Sequence, residues 1–120
     1  MYEYKCIIKR VLDGDTVDVD IDLGFGVWLR GQRIRFYGID APETRTRDLE
    51  EKARGHVARD FVSQFLPVES IQTLISRKDE TGKYGRILGD FVVYDAVWDA
   101  QRNLTELLLR EGLVEVYESK

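Results

Sequence analysis

One cysteine, one histidine, one methionine and two prolines are spread over 120 residues. The lone Cys6 excludes an internal disulfide and any zinc site built from clustered cysteines. It stands two residues before Ile8 on one face of a strand-like run, the position of a small buried core residue. The single histidine, His56, sits between Arg54 and Arg59 on helix-patterned sequence and reads as a surface side chain. The prolines are isolated, and no repeat, linker or low-complexity tract appears. No apolar run approaches a membrane span. The opening MYEYKCIIKRVLDGD returns to charge too soon for a signal peptide. The expected location is cytoplasmic for the chain as it stands, and secreted if a signal segment has been removed. Positive charge is also short. The net charge is −4, so any polyanion must be held by a local cluster of arginines and lysines.

What is present is a globular composition, 43% hydrophobic and 33% charged, which predicts one domain over residues 1–120. Residues 4–12 are β-branched-rich and end at the turn signal DGD. Residues 16–22 alternate strictly, with Val17, Val19 and Ile21 facing one way. After GFG, residues 32–39 form a third strand of the meander. The period then becomes helical through Val57, Ala58, Phe61, Val62 and Phe65. Asp48 and Glu51 suggest a capping box, Gly55 weakens the first turns, and Pro67 ends the helix. Residues 70–77 and 86–94 read as a hairpin. A second helix runs from Leu104 to Glu111, started by Asn103 and Glu106 and stopped by Gly112, with Leu113 placed for a Schellman contact. Residues 113–118 form a possible last strand. Three strands, a helix, two strands and a helix fit a mainly β, α+β fold: a five-stranded OB-type Greek-key barrel with two helices. A generic α+β sandwich is the alternative.

Three clusters can carry chemistry: DGDT (Asp13–Thr16), IDAPE (Ile39–Glu43) and KYGR (Lys83–Arg86). Each alone is ordinary turn sequence. Together they place Asp15 and Asp40 at the ends of two strands that a meander brings near each other. Two carboxylates with a main-chain carbonyl and water make a hard-cation site. Arg35 and Arg86 converging there suit a phosphate, whose oxygens match the guanidinium fork. Glu43 is then a third carboxylate, able to orient or deprotonate a water.

In order, VLDGDTV, RIRFYGIDAPE, KYGRILGDF and LTELLLREGLV resemble the staphylococcal nuclease (thermonuclease) family over nearly the whole chain. The resemblance implies an SNase-like OB-fold nuclease that hydrolyses phosphodiesters in DNA or RNA with little sequence preference, using one calcium ion. It implies that Asp15, Asp40 and the carbonyl of Ala41 bind the metal, that Arg35, Glu43 and Arg86 are catalytic, and that Lys83 and Tyr84 contact a terminal phosphate. Asp13 and Thr16 would support the metal ligands from behind. The family type protein is strongly basic, and carries a tyrosine pair that lines the nucleotide pocket and a third helix. Here Tyr117 is near the expected place but out of register. The alternative to a nuclease is a non-catalytic module of the same fold that binds nucleic acid or another protein. The expected substrate is single-stranded and the expected state a monomer, without a membrane. The positive groove is expected to consist of Arg35, Lys83 and Arg86, giving a salt slope of about −2 on single strands.

Other features read as structural. Asp18, Asp20 and Asp22 begin like an EF-hand loop, but Leu23 and Leu29 replace its glycine and glutamate, leaving a solvated strand face. Trp28 and Trp98 read as core or lid contacts rather than base-stacking platforms. Leu107–Leu109 read as core.

Overall fold

The computed structural model describes residues 2–81 and 85–117. The meander forms from β1 (Tyr2–Asp13), β2 (Thr16–Gly24) and β3 (Val27–Phe36). Its inward stripe is the expected one: Cys6, Ile8, Val17, Val19 and Ile21 are all buried. Helix α1 (Leu49–Phe65) follows β4 (Ile39–Asp40). Then come β5 (Ile71–Thr81), β6 (Ile87–Asp95), β7 (Ala100–Asn103), α2 (Leu104–Arg110) and β8 (Glu115–Val116).

The large sheet runs β3-β2-β1-β5-β6-β7, and β3 also pairs with β6. That parallel pairing, Ile34 opposite Ile87 through Phe36 opposite Gly89, closes β3, β2, β1, β5 and β6 into a ring. A closed ring removes two sheet edges and lets every strand turn one apolar face inward. Phe36 and Phe91 meet inside with ring centroids 5.5 Å apart. Ala58 and Val62 of α1 and Leu104, Leu107 and Leu108 of α2 are buried with them. Among the described residues no helix is long and apolar enough to cross a membrane.

Several local expectations change. The third strand starts earlier, at Val27, and stops at Phe36, with Tyr37 and Gly38 turning the chain. Ile39 and Asp40 then pair with Val116 and Glu115 instead of extending β3. The final strand is therefore only two residues long. Strand β7 carries the polar sequence AQRN, which leaves no apolar alternation to read; it pairs with Val92–Asp95 of β6, beyond the residues that pair with β3.

Asp20 is not on a solvated face. The β2–β3 register shifts between Val19 and Ile21, and Asp20 is buried there. It accepts from Gly31 N and Arg30 Nη1, both at 2.9 Å. The Gly31 amide, aided by Arg30, lowers its pKa against the effect of burial. Leu109 is partly exposed rather than core, because it falls between the buried Leu107 and Leu108 stripe and the solvent side. Trp98 is exposed, with Arg102 over its ring at 6.0 Å, and Trp28 packs against Arg30 at 5.3 Å; neither is core.

Both helix ends follow sequence signals in part. Asp48 caps α1, accepting from Glu50 N at 3.0 Å and Glu51 N at 3.3 Å. Glu51 does not reach back to complete a capping box; its carboxylate accepts from Glu43 N at 3.2 Å. In α2 Asn103 makes no side-chain cap bond. Asp90 of β6 replaces it, accepting from Thr105 N at 3.3 Å and from the Thr105 hydroxyl. At the other end Leu113 N bonds Leu108 O at 3.0 Å and Gly112 N bonds Leu109 O at 3.1 Å, the Schellman pattern.

The Asp90 cap makes stability depend on pH in an unusual direction. Burial pushes its pKa up, more than its bonds to Thr105 and Phe91 pull it down. The folded state thus keeps this proton to higher pH than the unfolded chain does. Stability from Asp90 is greatest in acid and falls as pH rises from the ordinary carboxylate value through the raised one. Asp90→Asn removes that fall. In urea unfolding from acid to neutral pH, the variant should gain on the parent as pH rises; a constant difference would show that Asp90 does not titrate this way.

Candidate active site

The site begins at the β1–β2 turn. Asp15 lies beyond the end of the ladder in which Thr16 pairs with Arg35, and its carbonyl accepts from Phe36 N at 2.8 Å. That bond fixes the turn against β3. The buried Asp15 carboxylate then reaches across the chain. Its Oδ1 accepts from Thr16 Oγ1 and its Oδ2 from Ala41 N, both at 2.9 Å. Asp13 does the same three residues further along. Its Oδ1 accepts from Thr44 Oγ1 at 2.7 Å and Thr44 N at 3.2 Å. The two aspartates of DGDT therefore hold both ends of the segment Ala41–Thr44, and Glu51 holds its middle at Glu43 N.

Arg35 organises the other side. Its Nη1 donates to Ile39 O at 2.8 Å and Phe36 O at 3.1 Å, bridging the Tyr37–Gly38 turn. The same guanidinium lies 3.3 Å from Asp15 Oδ2 and 3.2 Å from Asp40 Oδ1. Its side chain is 15% exposed and that of Asp40 61%, so the group links a buried carboxylate to a solvent-facing one. Arg86 enters from the start of β6, where the parallel pairing with β3 sets Leu88 beside Arg35.

These residues line one open cavity of about 780 Å³. Its wall includes Asp13, Asp15, Thr16, Arg35, Asp40, Ala41, Glu43 and Arg86. Lys83 and Tyr84 lie outside the described residues. Sequence reasoning missed two contributors, Thr44 and Glu51, which anchor the Glu43 segment. Tyr117, out of register in the sequence comparison, lines the cavity with its ring 6.0 Å from the Arg35 guanidinium. Tyr117 is positioned by its N–H to Gly38 O at 2.8 Å, next to the β4–β8 pair. No local pattern signals that long-range contact.

Among the described residues no three His, Cys, Asp or Glu side chains converge into a metal cage. The donor set still fits a hard cation of low protein coordination. Each Asp15 oxygen accepts one hydrogen bond, which leaves lone pairs on both, and Asp40 faces solvent beside it. Oxygen donors of this kind suit calcium or magnesium, with water or a ligand completing the shell.

A closed five-stranded barrel with carboxylates and guanidiniums gathered on one cavity wall defines a class of small barrel proteins. The sequence model described as staphylococcal nuclease homologue matches residues 33–120, and the chain belongs to that family. It is 34% identical over 110 residues to the thermonuclease of Staphylococcus hyicus and 30% identical over 107 residues to that of Staphylococcus intermedius. These matches take in 92% and 89% of this chain but only 56% of either relative. Endonuclease YhcR of Bacillus subtilis is 28% identical over 120 residues, covering 96% of this chain and 9% of that protein. The chain thus spans about half the length of the thermonucleases that it resembles.

Proposed function

We propose that the protein is a nuclease that hydrolyses phosphodiester bonds in DNA or RNA, with one calcium ion bound by Asp15, Asp40 and the carbonyl of Ala41. The observation that carries this reading is the meeting of Asp15, Arg35, Asp40, Glu43 and Arg86 on one cavity wall. The names of its relatives, thermonuclease and endonuclease, support it.

A phosphodiester resists attack because it is anionic. Arg35 and Arg86 bind its non-bridging oxygens and stabilise the charge that grows there as the transition state forms. A calcium ion held by Asp15, Asp40 and the carbonyl of Ala41 would supply further neutralisation of that charge. Glu43, exposed on a segment anchored at both ends, takes a proton from a water whose oxygen forms the new bond to phosphorus. The opposite P–O ester bond breaks, and the leaving oxygen takes a proton from solvent. Lys83 and Tyr84 contact a terminal phosphate in this reading. Base edges play little part, so sequence preference is weak. Single strands are favoured because their bases unstack freely beside the cavity.

Calcium-dependent digestion of single-stranded DNA, with chelator as control, tests the proposal. Digestion that survives chelation would overturn the calcium requirement, and strand binding without cleavage would overturn the nuclease reading and favour a non-catalytic binding module. The metal assignment has its own test. Arg35 already neutralises Asp15 and Asp40 and repels a second cation, so calcium should bind weakly until a phosphate joins it. In calorimetry Asp40→Ala should abolish the calcium signal seen with a nucleotide phosphate present; an unchanged signal places the ion elsewhere.

A further inference from the structure

A second cavity of about 630 Å³ adjoins the first and shares Asp13, Thr16 and Arg86 with it. It lies where the end of β1 meets α1. Its wall carries Arg10, Arg33, Arg45, Arg59 and Arg86, against Asp13 as the one carboxylate among its lining residues. Asp13 is already engaged by Thr44. This concentration of positive charge is out of proportion to a protein of net charge −4.

The arginines differ in availability. Arg33 is held by Asp18 through two bonds, at 2.8 and 3.1 Å. Arg59 contacts His56 Nδ1 at 2.8 Å and lies 3.8 Å from Asp60. Arg10 and Arg45 are exposed and form no ion pair among the described residues. Like charges brought together without carboxylate partners repel one another, and that arrangement is relieved when a polyanion lies between them.

We infer that this arginine-lined groove binds the phosphodiester backbone of the substrate strand beyond the phosphate seated in the reaction cavity. The inference rests on the nuclease reading, because the shared wall of Asp13, Thr16 and Arg86 makes the groove continuous with that cavity. It enlarges the expected positive surface. Arg35, Lys83 and Arg86 alone correspond to a salt slope of about −2 on single strands, whereas Arg10, Arg45 and Arg59 bring it toward about −4. Arg33, already paired with Asp18, adds less. A dinucleotide fills only the reaction cavity, so affinity should rise when the strand is long enough to enter the groove.

The test uses the whole chain and a labelled oligothymidylate of about twelve nucleotides, with chelator present so that no strand is cut. Affinity is measured across a salt series. The double variant Arg10→Ala/Arg45→Ala should bind more weakly, with a slope shallower by about 1.4, two contacts at about 0.7 each. Lys5→Ala, which removes a positive charge hydrogen-bonded to Thr73 on another part of β1, should leave the slope unchanged. Equal slopes for parent and double variant, or equal affinity for a thymidine dinucleotide and the longer strand, would overturn the groove. So would a slope change seen with a sulfated polysaccharide and not with the oligonucleotide. Groove-dependent binding by a protein that cuts nothing when calcium is restored would support the groove and defeat the nuclease reading. Cleavage with no slope change would do the reverse.

Discussion

Arg35→Ala is expected to lower turnover by roughly 10²- to 10³-fold, the scale on which one preorganised charge partner acts in a transition state. Arg35 bridges the Tyr37–Gly38 turn through two carbonyls and stands within 3.3 Å of two carboxylates. Its removal also leaves Asp15 buried without its countercharge, a loss of roughly 3 kcal/mol in stability. Arg35→Lys keeps the charge but not the planar fork, so it should restore stability better than turnover. Glu43→Ala separates the two effects, because Glu43 is exposed. That variant should unfold at the parent temperature yet lose roughly 10²-fold in rate. Steady-state kinetics with thermal melts of the three variants make the comparison. Full activity in Arg35→Ala would remove it from the reaction.

The second large effect comes from a methyl group. Gly55 sits inside α1, where alanine would ordinarily stabilise a helix by about 1 kcal/mol. Here a Cβ would lie 2.5 Å from the carbonyl oxygen of Glu43 and 3.0 Å from that of Pro42. Those atoms are backbone, on the segment that Asp13, Asp15 and Glu51 hold in place. The clash outweighs the propensity gain, and Gly55→Ala should destabilise by about 1–3 kcal/mol. It should also displace Glu43, so activity falls further than the loss of folded protein explains. The glycine that looks like a weakness in the helix is the place where helix and active-site segment cross. Denaturant unfolding and rate measurements on one variant decide it; a stabilised variant would mean that the segment moves away at little cost.

Sequence alone determined the features whose physics is local. Alternation over 16–22 marked the buried face of β2, and Pro67 and Gly112 marked where the helices end, because such signals act within a few residues of themselves. DGDT and IDAPE stood out for the same reason: aspartates at strand exits are visible one turn at a time. Tertiary structure decided what each of them meets. The Asp15–Ala41 and Asp13–Thr44 bonds join residues 26 and 31 positions apart. Asp90 replaces Asn103 as the cap of α2 across 15 positions. Asp20, polar and strand-borne, is buried because a register shift brings Gly31 and Arg30 to it. Tyr117 reaches the cavity through the short β4–β8 pair, and Arg10, Arg45 and Arg59 come together from a strand, a loop and a helix. Periodicity reports which side of an element avoids water; it carries no information about which distant side chain, charged or hydrogen-bonding, closure of the barrel sets beside it.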